Sequence, residues 1–233
     1  MIADMRELDA DAPRVGPRPT GGAVTVWTLD TTLRRVGGHR VDEAEALLDP
    51  SERERAGRLV RAGDRRTYLA SHLALRVLLG GYLGRAPREV ELVREDCPCC
   101  GAPHGRPAVA DGAPHFSLSH SEDVAYLAFA GVPVGVDVEG LPSAEAVVDV
   151  LPTLHPAETA ELTALAPADR PAALARVWAR KEACLKATGT GLARGVVEPY
   201  VGSAAEPASA PGRLLHDLPA PRGYAAALAL LTG

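Results

Sequence analysis

The chain has 233 residues, 46% of them hydrophobic and 24% charged, and a formal net charge of −5. That length and apolar share allow one large domain or two small ones with a core, and the acidic balance argues against a nucleic-acid partner, which calls for a basic excess. No apolar run approaches the roughly eighteen residues of a membrane span, and the N-terminus has no apolar signal core, so the reading is a cytoplasmic protein, no membrane partner, four cysteines reduced.

Residues 1–22 carry Asp, Pro, Gly and Arg without apolar periodicity, the pattern of a mobile leader. Residues 24–29 alternate as a strand does. Asp49-Pro-Ser51 reads as a helix start, and apolar positions recur at helical spacing over 59–83, with Gly63-Asp64 as the expected break. Arg53, Arg55, Arg58, Arg61, Arg65 and Arg66 outnumber the acids there, a local basic stripe that suits a small polyanion or an acidic protein. A short strand is expected at 90–93, then a loop over 96–112 dense in Cys, Pro and Gly. Residues 116–119 and 124–130 read as strands around a turn at Ser121-Glu122-Asp123, and a third runs from Pro133 through Val138. Residues 144–150, 157–165 and 170–188 are expected to be helical. Residues 224–231 read as helix by propensity.

Chemistry concentrates late in the chain. In Gly135-Val-Asp-Val-Glu139 a strand puts Asp137 and Glu139 on one face, with Val134, Val136 and Val138 on the other. In Trp178-Ala-Arg-Lys-Glu-Ala-Cys-Leu-Lys186 a helix puts Glu182 and Lys186 one turn apart. Three carboxylates and a lysine suit a hard divalent cation shared with a substrate phosphate. The plainer readings are a solvated strand face and a surface ion pair worth a few tenths of a kcal/mol. Lys181 falls inside the apolar stripe of its helix, so its ammonium must reach water or an anion.

Ser119 and His120 cannot form a nucleophile–base pair by adjacency, since neighbouring strand side chains point oppositely. No G-x-S-x-G is present either. Ligand binding is the better reading, with a structural histidine as the alternative. Cys97-Pro-Cys-Cys100 with His104 has the spacing C-x2-C-x3-H. A structural zinc site takes four ligands and no second C-x-x-C follows, so a reduced loop is the expectation.

The helical segment preceded by Gly135-Val-Asp-Val-Glu139, together with His115-Phe-Ser-Leu-Ser-His-Ser121 and Gly105-Arg-Pro107, resembles the 4′-phosphopantetheinyl transferases. The likeness is to the larger, single-chain, surfactin-type branch and runs from about Val24 to the C-terminus. It implies an α+β fold of two similar halves related by a pseudo-twofold, with the active site in the cleft between them. The boundaries would be 23–132 and 133–233, the second half carrying the metal site and ending in a closing strand rather than a helix. A faint repeat, in which Ala70-Ser-His-Leu-Ala-Leu-Arg76 overlays Arg180-Lys-Glu-Ala-Cys-Leu-Lys186, agrees with this.

By the same resemblance the activity is of the holo-[acyl-carrier-protein] synthase type. The 4′-phosphopantetheine arm of coenzyme A, the co-substrate, passes to a serine of an apo acyl or peptidyl carrier protein, leaving adenosine 3′,5′-bisphosphate. Asp137, Glu139 and Glu182 would hold Mg²⁺, or Mn²⁺ in its place. Glu182 is the candidate base, and Lys186 would meet the departing phosphate. Arg55, Arg106, Ser119, His120 and Lys181 would hold the nucleotide half. His72 stands where many relatives carry an arginine. The branch is monomeric. Two other readings stay open: an Mg²⁺-dependent nucleotide phosphohydrolase, and a non-catalytic module that binds coenzyme A or a carrier protein.

Overall fold

The computed structural model describes residues 3–191 and 195–232. The chain forms two compact units, residues 1–93 with 108–131, and residues 94–107 with 132–233.

The first unit contains strands β1 (Asp4–Leu8) and β2 (Val24–Asp30), a two-residue pair β3 (Arg35–Val36) and β4 (His39–Arg40), and helices α1 (Pro50–Arg58) and α2 (Ala62–Leu83). The ribbon β5 (Leu92–Arg94) with β6 (Pro107–Val109) flanks the excursion into the second unit, and β7 (His115–Ser121) and β8 (Val124–Ala130) complete the first. Its main sheet has the order β1-β2-β8-β7. Leu73, Leu78 and Leu79 of α2 are fully buried and pack with Leu29, Leu127 and Phe129 of that sheet in one apolar core.

The second unit has β9 (Val134–Gly140), α3 (Ala144–Val150), α4 (Pro156–Ala164), α5 (Arg170–Thr188), β10 (Arg213–Leu218) and β11 (Tyr224–Leu231). Its sheet has the order β10-β11-β9, all antiparallel. Leu174, Val177 and Cys184 of α5 share a core with Ala227 and Ala229 of β11.

Three local readings change, and one implied by the resemblance holds. The stretch read as a mobile leader contains β1, which pairs in parallel with β2 and buries Leu8; a short edge strand shows too little alternation to be seen. The helix break falls at residues 59–61, and Gly63-Asp64 sits in the first turn of α2, where an acid favours the helix dipole. Residues 213–218, unassigned by pattern, form the edge strand β10. Residues 224–231 form the strand that the resemblance implied in place of the helix read from propensity, and it is the central one, hydrogen-bonded on both sides. Six of its residues are buried on the two faces, so it lacks the alternation that would betray a strand.

No helix among the described residues is long and apolar enough to cross a membrane.

Candidate active site

The second unit brings Asp137, Glu139, Glu182 and Lys186 together, and glycine makes this possible. Residues 135, 137 and 139 of β9 share one face. A Cβ added at Gly135 would lie 1.9 Å from the Ala183 carbonyl oxygen and 2.6 Å from the Ala187 nitrogen, both backbone atoms of α5. The strand face bearing the acids is therefore the face against which α5 packs, and the helix comes as close as two backbones allow. The solvated strand face considered from sequence does not occur, since Asp137 is only 2% exposed.

This packing sets the geometry. Lys186 Nζ donates to Asp137 Oδ1 at 2.6 Å and to the Val136 carbonyl at 3.3 Å. Burial raises the pKa of Glu139 to about 7, with the Asp137 and Glu182 charges adding to the shift and Lys186 opposing it. Glu182, half-buried, is also pushed upward by burial and then by Asp137, again against Lys186. Three carboxylates thus share one ammonium in a partly desolvated place, which leaves surplus negative charge. The donor set, all hard oxygens, fits a divalent cation such as Mg²⁺. Asp137, Glu139 and Glu182 are the residues that would hold it.

Arg106 also lies in the second unit. Its Nη1 donates to the Ala187 carbonyl at 2.6 Å and its Nε is 2.8 Å from Glu95, so the guanidinium sits at the C-terminal end of α5. There it meets the helix's partial negative charge. The helix stops one step later at Gly189, whose φ of +73° is the left-handed conformation glycine accepts freely.

Lys181 does not join this group. Its side chain is fully buried and sits 2.8 Å from Glu158, while also donating to the carbonyls of Val197 at 3.1 Å and Pro199 at 2.7 Å. Burial presses its pKa down against the pull of Glu158. All three of the ammonium's hydrogen-bonding directions have protein partners, a structural arrangement distinct from the phosphate contact that the resemblance implies. Lys181→Met is expected to destabilise the protein by about 3–5 kcal/mol, since it strands a buried Glu158. Chemical denaturation checks this; a change below about 1 kcal/mol would mean that the pair does not anchor α4 to α5.

In the first unit, His120 near the end of strand β7 is exposed while Ser119 is buried, as strand alternation requires. Arg55 is exposed on α1. His72 hydrogen-bonds Glu52 at 2.8 Å and stacks on Tyr68 with ring centroids 3.9 Å apart.

Sequence reasoning missed three supporting residues. Glu52 and Glu158 each complete a capping box at the start of a short helix and reach a basic residue of the long helix that follows, Arg76 at 2.6 Å and Lys181 at 2.8 Å. The shared pattern Asp49-Pro-Ser-Glu52 and His155-Pro-Ala-Glu158 was the available signal. Arg180, fully buried, chelates Asp217 through two bonds of 2.7 and 2.6 Å and donates to the carbonyls of Gly202, Ala204 and Ala205. It fastens the loop after α5 to β10.

Comparison with known proteins bears on the segment that carries the carboxylates. Residues 133–228 match the family model of the 4′-phosphopantetheinyl transferase superfamily. The superfamily match spans β9 to β11 and includes Asp137, Glu139, Glu182 and Lys186. Arg55, Arg106, Ser119 and His120 lie outside it.

Over more of the chain, a Synechocystis sp. protein provisionally named as the 4′-phosphopantetheinyl transferase slr0495 is 28% identical across 176 residues, 73% of this chain and 67% of the relative. The 4′-phosphopantetheinyl transferase HetI of Nostoc sp. is 32% identical across 161 residues, 66% of this chain and 65% of the relative. The chain thus spans about two thirds of the length of the curated relatives it matches.

Proposed function

We propose that this protein is a surfactin-type 4′-phosphopantetheinyl transferase, which moves the phosphopantetheine arm of coenzyme A onto a serine of an apo acyl or peptidyl carrier protein. The observation that carries the reading is the cluster of Asp137, Glu139, Glu182 and Lys186 inside the superfamily-matched segment. The shared strand order of the two units, β2-β8-β7 in one and β9-β11-β10 in the other, supports two related halves.

In the reaction the carrier serine Oγ attacks the β-phosphorus of coenzyme A. The bond from that phosphorus to the bridging oxygen breaks, and adenosine 3′,5′-bisphosphate leaves with the electron pair. Glu182, directly or through a water it holds, takes the serine proton. A divalent cation on Asp137, Glu139 and Glu182, Mg²⁺ by chemistry, would neutralise pyrophosphate charge when bound. Lys186 swings from Asp137 to the α-phosphate as negative charge develops there. Arg106 would serve the nucleotide end of coenzyme A; for His120, Ser119 and Arg55 that role rests on the family resemblance alone. The nucleophile belongs to the partner, so the chain needs no activated Ser or Cys of its own.

Lys186→Ala is expected to lower kcat on the order of 100-fold with a smaller change in KM for coenzyme A, because the contact is made to charge that appears in the transition state. Steady-state kinetics on a carrier protein read the split. Equal losses in kcat and affinity would recast Lys186 as a binding residue.

The function itself is tested by following adenosine 3′,5′-bisphosphate chromatographically, with and without apo carrier protein. Release that requires the carrier supports transfer. Release without it would favour a phosphohydrolase, and binding without release a non-catalytic module.

A further inference from the structure

We propose that Cys97, Cys100 and His104 hold a zinc ion, a second metal site apart from the carboxylate cluster. Nothing in this inference depends on the transfer reaction. From sequence the trio lacked a fourth ligand and was read as a reduced loop. What the structure adds is the convergence of the three, which spacing alone could not show. Both sulfur atoms and one imidazole nitrogen lie within 4.8 Å of one another, and Cys100 Sγ is 3.1 Å from His104 Nε2.

The backbone is folded around these three side chains. Residues 95–106 form a hairpin closed by Glu95 N–H to the Arg106 carbonyl at 3.1 Å and Gly105 N–H to the Glu95 carbonyl at 2.8 Å. Further in, Cys97 N–H donates to the Ala102 carbonyl at 2.8 Å, and Gly101 N–H to the Cys97 carbonyl at 2.8 Å. Gly101, with φ of +73°, reverses the chain just after Cys100 and lets His104 return to the two sulfurs.

The chemistry selects the ion. Two thiolates and an imidazole are soft to borderline donors, which favour zinc and disfavour Mg²⁺. Zinc–sulfur bonds of about 2.3 Å imply ligand–ligand edges of roughly 3.8 Å in a tetrahedron. The present spread closes to that by rotation of the exposed side chains of Cys100 and His104. Three protein ligands leave one position to solvent. Cys99, exposed at the tip, stays outside the set. Because the hairpin ends at Arg106, whose guanidinium is bonded to the end of α5, the ion would stiffen the segment that presents Arg106.

The test uses the full chain, purified without a histidine tag, without chelators and under thiol reductant. Elemental analysis is expected to give close to one zinc per chain, falling by about tenfold or more in Cys100→Ser and His104→Ala. Both residues are exposed, so the fold should survive. Cys99→Ser and Asp137→Asn are expected to keep the ion. Cobalt offered to the metal-stripped protein is expected to give thiolate-to-metal charge-transfer absorption. Fully reduced wild-type protein with neither zinc nor the cobalt–thiolate bands would overturn the proposal. So would a Cys97–Cys100 disulfide in place of metal, or zinc that is lost with Asp137→Asn and kept in Cys100→Ser. Metal content is read whether or not the protein transfers anything, so this failure is distinguishable from failure of the proposed function.

Discussion

Glu182→Gln is expected to lower transfer by about 10³-fold, the scale of a lost general base, with the circular-dichroism spectrum and unfolding midpoint little changed. The substitution keeps the shape of the side chain and removes its charge. Glu182 is half-buried on α5, one helical turn before Lys186, and its pKa is raised by burial and then by Asp137. Neutralising one of three crowded carboxylates relieves repulsion, so no loss of stability is expected. The amide can neither accept the serine proton nor offer an anionic oxygen to a cation. Wild-type turnover by the variant would remove Glu182 from the mechanism. Loss of turnover together with loss of fold would move it from chemistry to structure.

Gly135→Ala should be the most damaging single methyl group in the second unit. Its Cβ would stand 1.9 Å from the Ala183 carbonyl oxygen and 2.6 Å from the Ala187 nitrogen. Neither atom can rotate away, because both are α5 backbone, so the helix itself must retreat. Overpacking of this kind costs about 1–3 kcal/mol. A displacement near 1 Å is also enough to cost on the order of 100-fold in rate, and the 2.6 Å contact of Lys186 with Asp137 lies between the same two elements. Gly63→Ala is the control: it sits in the first turn of α2 with nothing within 4 Å of its would-be Cβ. It is expected to be neutral or slightly stabilising. Denaturant midpoints and steady-state rates for the two variants, side by side, give the comparison. Equal behaviour would mean that the strand–helix approach does not set the site.

Much of the second unit was legible because its signals are local. Alternation around Asp137 and Glu139 and the one-turn spacing of Glu182 and Lys186 each put two residues on a face without knowledge of the fold. What local pattern could not supply was the distance between strand and helix. Gly135 was visible in the motif, but its reason is a backbone 48 residues further on, that of Ala183. Lys181 is the instructive case. The helical wheel marked it as a cation in an apolar stripe, and that anomaly is real. Its anion proved to be Glu158, a protein side chain brought near by the packing of α4 on α5.

Strand β11 failed the propensity reading for a related reason. An alanine- and leucine-rich segment favours helix in isolation, and only its central place between β9 and β10 makes it extended. Strand β1 escaped because an edge strand of five residues buries little, with Leu8 alone fully inside.

The most direct measurement is the intact mass of apo carrier proteins from fatty-acid, polyketide and non-ribosomal peptide systems after incubation with this protein, coenzyme A and Mg²⁺. The expected result is a gain of one phosphopantetheine arm on a carrier serine, absent with EDTA and absent with Glu182→Gln. Carriers that keep their apo mass throughout, with coenzyme A bound or hydrolysed and the protein folded, would contradict the account.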